Sequence, residues 1–314
     1  MAKDSRNTQK IKQSNLLHKI WRICANKGKD GFAEMVLFCK HHDALSLMLR
    51  FFVYMGIGVT VLLFGLLVGY ILYSGVPYLS TSLFEWKYTT ENVSMLPSII
   101  NTASMVVLSL IISAPVAVLG AIYLQEYARS DSYFVVSIGM ASETLAGIPS
   151  IVYGIFGFLV FVMHASGTFT MIAGAMTLSI MVLPLILRNT QEALKCIPQT
   201  YKEAGFGLGA GKLVVLFRII LPCAVSGVLS GVILAIGRIV GESAALLYTS
   251  GSVAQVASVM DSGRTLSVHV YQLLQEGLYI NEAAASAVVL LVFVIALNMV
   301  SHFVAKKFSP PPLT

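Results

Sequence analysis

Between Phe51 and Ser74 the chain runs through 24 residues without one charged side chain, long enough to cross a bilayer as a single helix. Comparable apolar runs follow at 97–124, 134–163, 168–188, 219–249 and 283–305. Hydrocarbon offers no partner to backbone N–H and C=O groups, so segments of this kind satisfy them internally as helices. With 56% hydrophobic and 11% charged residues in a chain of 314, the apolar surface exceeds what a soluble core can hide. The sequence therefore predicts an all-α, polytopic membrane protein with six transmembrane helices. The third and fifth runs are long for one crossing, which predicts tilt or a break near Pro149 and Pro222.

Positive charge orients such a bundle. Of 21 Lys and Arg, ten precede residue 51, Arg129 lies between runs two and three, five fall between 188 and 218, and Lys306 and Lys307 follow the last run. Placing both termini in the cytoplasm puts all of these on one side and leaves only Lys87 and Arg264 on the other. The net charge of +6 is thus topogenic and does not point to nucleic acid. The predicted organisation is a basic cytoplasmic segment at 1–50, a transmembrane domain at 51–307 with a cytoplasmic loop at 191–218, and a short tail at 308–314. From Leu16 onward the leading segment has helical spacing of apolar and basic residues, which fits an interfacial helix or a leader that only fixes orientation. No cleavable signal sequence is read, because the first apolar run begins after fifty residues. Cys24, Cys39, Cys196 and Cys223 form no CxxC pair and predict neither disulfides nor a metal site. His164, His269 and His302 read as boundary residues rather than ligands, and no cofactor is expected.

The loop at 191–218 is the most distinctive polar stretch. Pro198 suits the start of a helix, where its missing N–H costs nothing, and Gly209 suits the left-handed residue that ends one. A helix of about ten residues between them is marginal in water, and the glycines from 205 to 211 weaken it further. Its order is expected to depend on something it docks against.

In the fifth run Arg238 and Glu242 stand four residues apart, which on a continuous helix places them on one face. An arginine at mid-bilayer costs about 2.5 to 3.5 kcal/mol on insertion scales, so it is retained where the charge has work; Arg238 counts into the outer half of the bilayer, where snorkelling to the outer interface is the other reading. A guanidinium stays protonated and can offer two parallel hydrogen bonds to a tetrahedral oxyanion. Glu242 can hold Arg238 while the path is empty. Gly227, Gly231 and Ala235 form a neighbouring row of small residues that predicts close approach by another helix. Glu143, about ten residues into the third run, is expected to face the bundle interior with a partner or a proton; a packing role and a pathway role are both open for it.

The loop carries Glu203-Ala204, then Gly209, nine residues, Ile219, one residue, and Leu221-Pro222. This spacing resembles the EAA loop of permease subunits of ABC importers, with Gly205 in place of the second alanine and Gly211 where Thr or Ser is common. The segment Gly231 to Leu246, containing Gly237-Arg238-Ile239-Val240-Gly241-Glu242-Ser243-Ala244, is similar to the Gly-Arg-Ala-x-Gly-Glu-Thr-Ala segment of phosphate-specific permeases. Leu145 to Gly154 looks like a segment shared by both permeases of those importers, and the overall likeness is to the A-type subunit. The resemblance implies a type I ABC importer permease fold, an inner-membrane location and passage of phosphate by Arg238 and Glu242. It also implies that Glu203, Ala204, Gly209, Leu221 and Pro222 belong to a helix coupled to a cytoplasmic ATPase. The implied partners are a second homologous permease, two ATPase subunits, an external phosphate-binding protein and membrane lipid. Gly205 to Lys212 imitates a phosphate-binding glycine loop, but Leu213 stands where Ser or Thr is required, so ATP hydrolysis is expected in a separate subunit and the chain is not read as an enzyme. Sulfate, molybdate or phosphonate as cargo, and an ATPase-independent carrier or channel, remain alternatives.

Overall fold

The computed structural model describes residues 44–129 and 132–308. The expectations for the basic leading segment and for Cys24 and Cys39 lie outside the described residues. Packing divides the chain after Leu67. Helix α1, Ala44–Gly75, runs unbroken through that division, and from Phe51 to Leu67 its large apolar side chains are exposed, as suits a surface whose solvent is lipid.

The unit from Val68 onward is built on helices throughout the described residues. Two short 3-10 turns, Val76–Tyr78 and Thr81–Phe84, lead to α2, Leu96–Ile122, which widens into a π-helical turn at Tyr123–Tyr127. Helices α3, Tyr133–Gly147, and α4, Ser150–Gly157, follow, the latter continuing as a π-helical stretch to Ser166. Next come α5, Met171–Lys195, the short α6, Gln199–Gly207, and α7, Lys212–Val215. After a π-helical segment at Leu216–Ile220 the chain forms α8, Leu221–Gly241, and then a single turn, α9, Ala244–Leu247. Helix α10, Leu266–Glu276, and the long α11, Ile280–Phe308, complete the order.

The core is α5 sandwiched between α2 and α8. Its centre is the cluster of Met105, Leu178, Met181, Val182, Ile186, Ala235 and Ile239. The small-residue row does what the sequence predicts. A Cβ added at Gly227 would lie 2.3 Å from that of Ala193, and one at Gly231 would lie 2.8 Å from that of Asn189, so α8 rides closely on α5. Buried hydroxyls stitch α2 to α5, with Ser179 Oγ donating to Ser109 O at 3.0 Å.

Among the described residues five helices are long and apolar enough to cross a membrane, or six if the bent pair α3 and α4 is one span. The break expected near Pro149 is present: the chain turns by 103° between Gly147 and Ser150, because Pro149 lacks an N–H and holds Ile148 extended at ψ 132. Two expectations for the fifth run are corrected. The fifth run does not continue to 249 but ends at Gly241. At Pro222 there is no break; the wider turn at Leu216–Ile220 absorbs it.

Candidate functional site

The two interruptions of regular helix meet. Gly154 of α4 lies against the backbone of α9, where an added Cβ would be 2.9 Å from Ala245 Cα. Three residues on along the same helix, Gly157 abuts Thr177 of α5 and Thr249 just beyond α9. Tyr153, 4% exposed, donates to Leu145 O at 2.7 Å and so ties α4 back to the end of α3. Interrupted helices inside a membrane are tolerated where irregular backbone is buried in protein or lines a path, and their free termini are polar features in an apolar medium.

Arg238 occupies the last turn of α8, half-buried, within electrostatic reach of Tyr153. Its guanidinium makes no ion pair or hydrogen bond among the described residues. Glu242 was expected to share a helical face with it, and this is corrected. Residue 242 has left the helix, with φ −77 and ψ 127, and its Oε1 accepts the Ala245 N–H at 3.0 Å. The carboxylate therefore caps α9 instead of pairing with Arg238, since an orphan N–H at the start of a helix inside the bundle demands an acceptor. The carbonyl of Glu242 takes the hydroxyl of Ser267 at 2.6 Å, which fixes the break from the α10 side.

Glu143 stands apart from this site. Its carboxylate pairs with Arg188 of α5 at 3.7 Å, and Arg188 also reaches Glu192 at 3.3 Å. In the single chain the Glu143 side chain is 69% exposed, so the expected position inside the bundle is corrected to an outward-facing one; the expected partner exists and is Arg188.

The loop at 191–218 folds as read, from Pro198 at the N-terminal boundary of α6 to Gly209 at φ +80. Sequence reasoning missed what holds it. Lys202 Nζ bonds Glu126 Oε1 at 2.6 Å with both side chains largely buried, and Lys212 lies 4.3 Å from the Tyr127 ring centre. Gly205 is buried where a side chain would meet Val215 and Ile219, each at 2.9 Å. The helix that looked too weak to stand alone is thus docked on its own chain, while Glu203, Ala204, Phe206 and Leu208 stay exposed. Leu221 and Pro222 begin α8 directly behind it.

A second polar cluster lies near the start of α10. Asn101, fully buried, donates to Gln255 O and Arg264 O and accepts from Ala257 N–H. Thr102 Oγ1 accepts from Leu266 N–H at 2.8 Å. Arg264, 3% exposed, lies 4.5 Å from the Tyr88 ring centre and gives one hydrogen bond, from Nη1 to Gln272 Oε1 at 3.1 Å. Burial pulls its guanidinium below its usual range against the opposing influence of Tyr88 and Glu276. His269 is pushed down to about 3, first by burial and then by the charge of Arg264, and is neutral.

Similarity to known proteins agrees with this architecture. The chain is 29% identical over 257 residues to the probable ABC transporter permease protein YqgI of Bacillus subtilis, covering 76% of this chain and 87% of that one. It is 35% identical over 181 residues to the phosphate transport system permease protein PstA of Pasteurella multocida, covering 56% of this chain and 63% of the relative. PstA 2 of Mycobacterium bovis is 34% identical over 182 residues, covering 56% of this chain and 60% of the relative, so the match spans under two thirds of these phosphate permeases. Among solved structures, a bacterial ABC transporter involved in the import of alginate superimposes with a TM-score of 0.59 at 14% identity, over 85% of this chain and 99% of that one. The MetNI methionine ABC transporter in an inward-facing conformation gives 0.53 at 18% identity, over 69% and 94%. These likenesses identify the type I importer permease fold. Residues 97–311 match the binding-protein-dependent transport system inner membrane component family, and the chain belongs to it as an ABC importer permease.

Proposed function

We propose that this chain conducts inorganic phosphate through the bacterial cytoplasmic membrane as one of two homologous permease subunits. ATP hydrolysis is assigned to two cytoplasmic subunits docked on the exposed side of α6, and delivery to an external phosphate-binding protein. Both termini lie in the cytoplasm in this reading, as the distribution of Lys and Arg requires. The observation that carries it is the unpaired guanidinium of Arg238 beside the junction of two interrupted helices. A fixed cation without a resident carboxylate partner is open to a passing oxyanion, and a single weakly held site lets the ion leave again. Glu242 keeps the α9 turn in place and stands ready to accept a hydrogen bond from the hydroxyl of a hydrogenphosphate. Rocking of the helices follows when the ATPases pull α6, whose tie to α2 through Lys202 and Glu126 transmits the motion.

The relatives that carry phosphate permease names favour phosphate over sulfate, molybdate or phosphonate. Uptake into right-side-out or reconstituted vesicles loaded with ATP tests the reading. It is expected to require ATP, to be competed by phosphate above the other oxyanions, and to vanish in Arg238→Gln while the complex still assembles. Normal phosphate uptake in that variant removes the assigned path, and uptake driven by an ion gradient without any ATPase removes the importer reading.

A further inference from the structure

The guanidinium of Arg264 is a buried cation without a salt-bridge partner among the described residues, Glu276 acting on it only from beyond ion-pair distance. It is 3% exposed, its Nε and Nη2 have no hydrogen-bond partner, and no carboxylate forms an ion pair with it among the described residues. His269, wholly buried, has neither ring nitrogen partnered, and it meets the same Tyr88 ring edge-on at 6.4 Å. Taking a charge out of water costs several kcal/mol unless something answers it, and the Tyr88 face and Gln272 answer only part. The unused groups form a matched set: two guanidinium donor nitrogens, Nε and Nη2, with three N–H between them, and a neutral imidazole that brings one further donor and one acceptor. A hydrogenphosphate-type oxyanion, with charged oxygens and one hydroxyl, satisfies all of them.

The location adds a second argument. Arg264 is three residues before Ser267, whose hydroxyl holds the carbonyl of Glu242, and its own carbonyl is fixed by Asn101 of α2. Filling the cluster is therefore felt at the helix break next to Arg238.

We propose that Arg264, with His269 and Gln272, forms a second oxyanion site, ahead of Arg238 on the α10 side of the bundle, whose occupation is relayed to Glu242 through Ser267. This rests on the oxyanion-transport reading for its role and on Arg264 alone for its existence. The atoms are closed off in the present conformation, so loading requires α10 to tilt away from Tyr88. The anionic oxygens for the guanidinium are offered both by a free phosphate ion and by the phosphodiester of a lipid headgroup, while only the free ion also brings a hydroxyl for His269.

The test is thermal unfolding of the purified full-length chain in detergent, with inorganic phosphate titrated against chloride at constant ionic strength, in the Arg238→Gln background. The unfolding temperature is expected to rise by a few degrees once phosphate exceeds its dissociation constant about a hundredfold. Adding Arg264→Gln is expected to abolish that rise. Glutamine removes a buried charge, so folding is preserved, and Arg264→Lys, which keeps the charge, is expected to retain part of the response. A parallel arm adds phosphatidylglycerol or phosphatidylcholine in place of phosphate; an Arg264-dependent rise with phosphatidylglycerol alone assigns the site to a lipid headgroup. No response to either, or the same response in Arg264→Gln, overturns the site. Vesicle uptake separates the two readings: a wild type that transports phosphate with an Arg264-independent shift loses only the site, whereas an Arg264-dependent shift without phosphate transport loses only the transport assignment.

Discussion

Arg238 and Glu242, four residues apart, stand on opposite sides of a helix terminus, the arginine in the last turn of α8 and the glutamate capping the Ala245 N–H of α9 at 3.0 Å. Their relation is one of division of work. The cation is left unpaired, and the acid holds the broken backbone beside it.

That division predicts unequal effects of substitution. Glu242→Gln keeps an oxygen able to cap Ala245, so the fold should persist and any deficit should lie in transport. Glu242→Ala removes the cap and should also lower stability by about 0.5 to 2 kcal/mol, the usual cost of losing such a side chain. Thermal unfolding of both variants beside vesicle uptake checks this; equal stability loss in the two would refute the capping role.

The buried pair Lys202–Glu126 anchors α6 to the end of α2. Removing one partner leaves an uncompensated charge and typically costs about 3 to 5 kcal/mol for a buried pair, less here because water still reaches both groups. Lys202→Met is expected to loosen α6, so that ATP hydrolysis in the assembled importer continues while uptake per ATP falls severalfold. The double variant Lys202→Met with Glu126→Leu should recover part of the stability, as apolar replacement of both charges often does. Unchanged coupling in Lys202→Met would mean that α6 needs no such anchor.

Much of this was legible in the sequence, for reasons that differ by residue. Runs of twenty apolar residues have one solution in hydrocarbon, so the crossings were readable, as were the small-residue face of Gly227 and Gly231 and the bounds of α6 at Pro198 and Gly209. Pro149 announced a break but not its 103° angle, which comes from packing of α4 against α9. The pairing of Arg238 with Glu242 was misread because helical spacing says nothing about where a helix stops. Gly241 followed by Glu-Ser was the available sign of an end and a new cap. Contacts such as Lys202 with Glu126, or Asn101 with Arg264 O, join residues 76 and 163 apart and leave no local pattern to read.

The neutral state of His269 makes stability depend on acidity. Its folded value, about 3, lies below the 6.5 of an unfolded histidine, so the folded chain excludes a proton that the unfolded chain accepts. The contribution is complete above pH 6.5 and is lost progressively as pH falls from there toward 3. By pH 5 about 2 kcal/mol of it is gone. Unfolding temperatures of wild type and His269→Phe should diverge below pH 6.5, with the phenylalanine variant the less acid-sensitive; parallel curves would contradict the buried, proton-excluding histidine.

The contact between the two interrupted helices is the most demanding of all, because at Gly154 the neighbour is backbone. A methyl there would lie 2.9 Å from Ala245 Cα and 3.3 Å from the carbonyl oxygens of Ala244 and Ala245, none of which can rotate away. Overpacking of this kind costs typically about 1 to 3 kcal/mol, and here the strain falls on the turn that Glu242 caps. Gly154→Ala is therefore expected to lower both stability and phosphate uptake. Gly139 of α3 provides the control, since an added Cβ meets nothing within 4 Å, and Gly139→Ala should be neutral or slightly stabilising by helix propensity. Measuring unfolding temperature and uptake for the pair decides the matter: if the two alanines behave alike, α4 and α9 are not locked together, and the junction beside Arg238 is looser than its geometry requires.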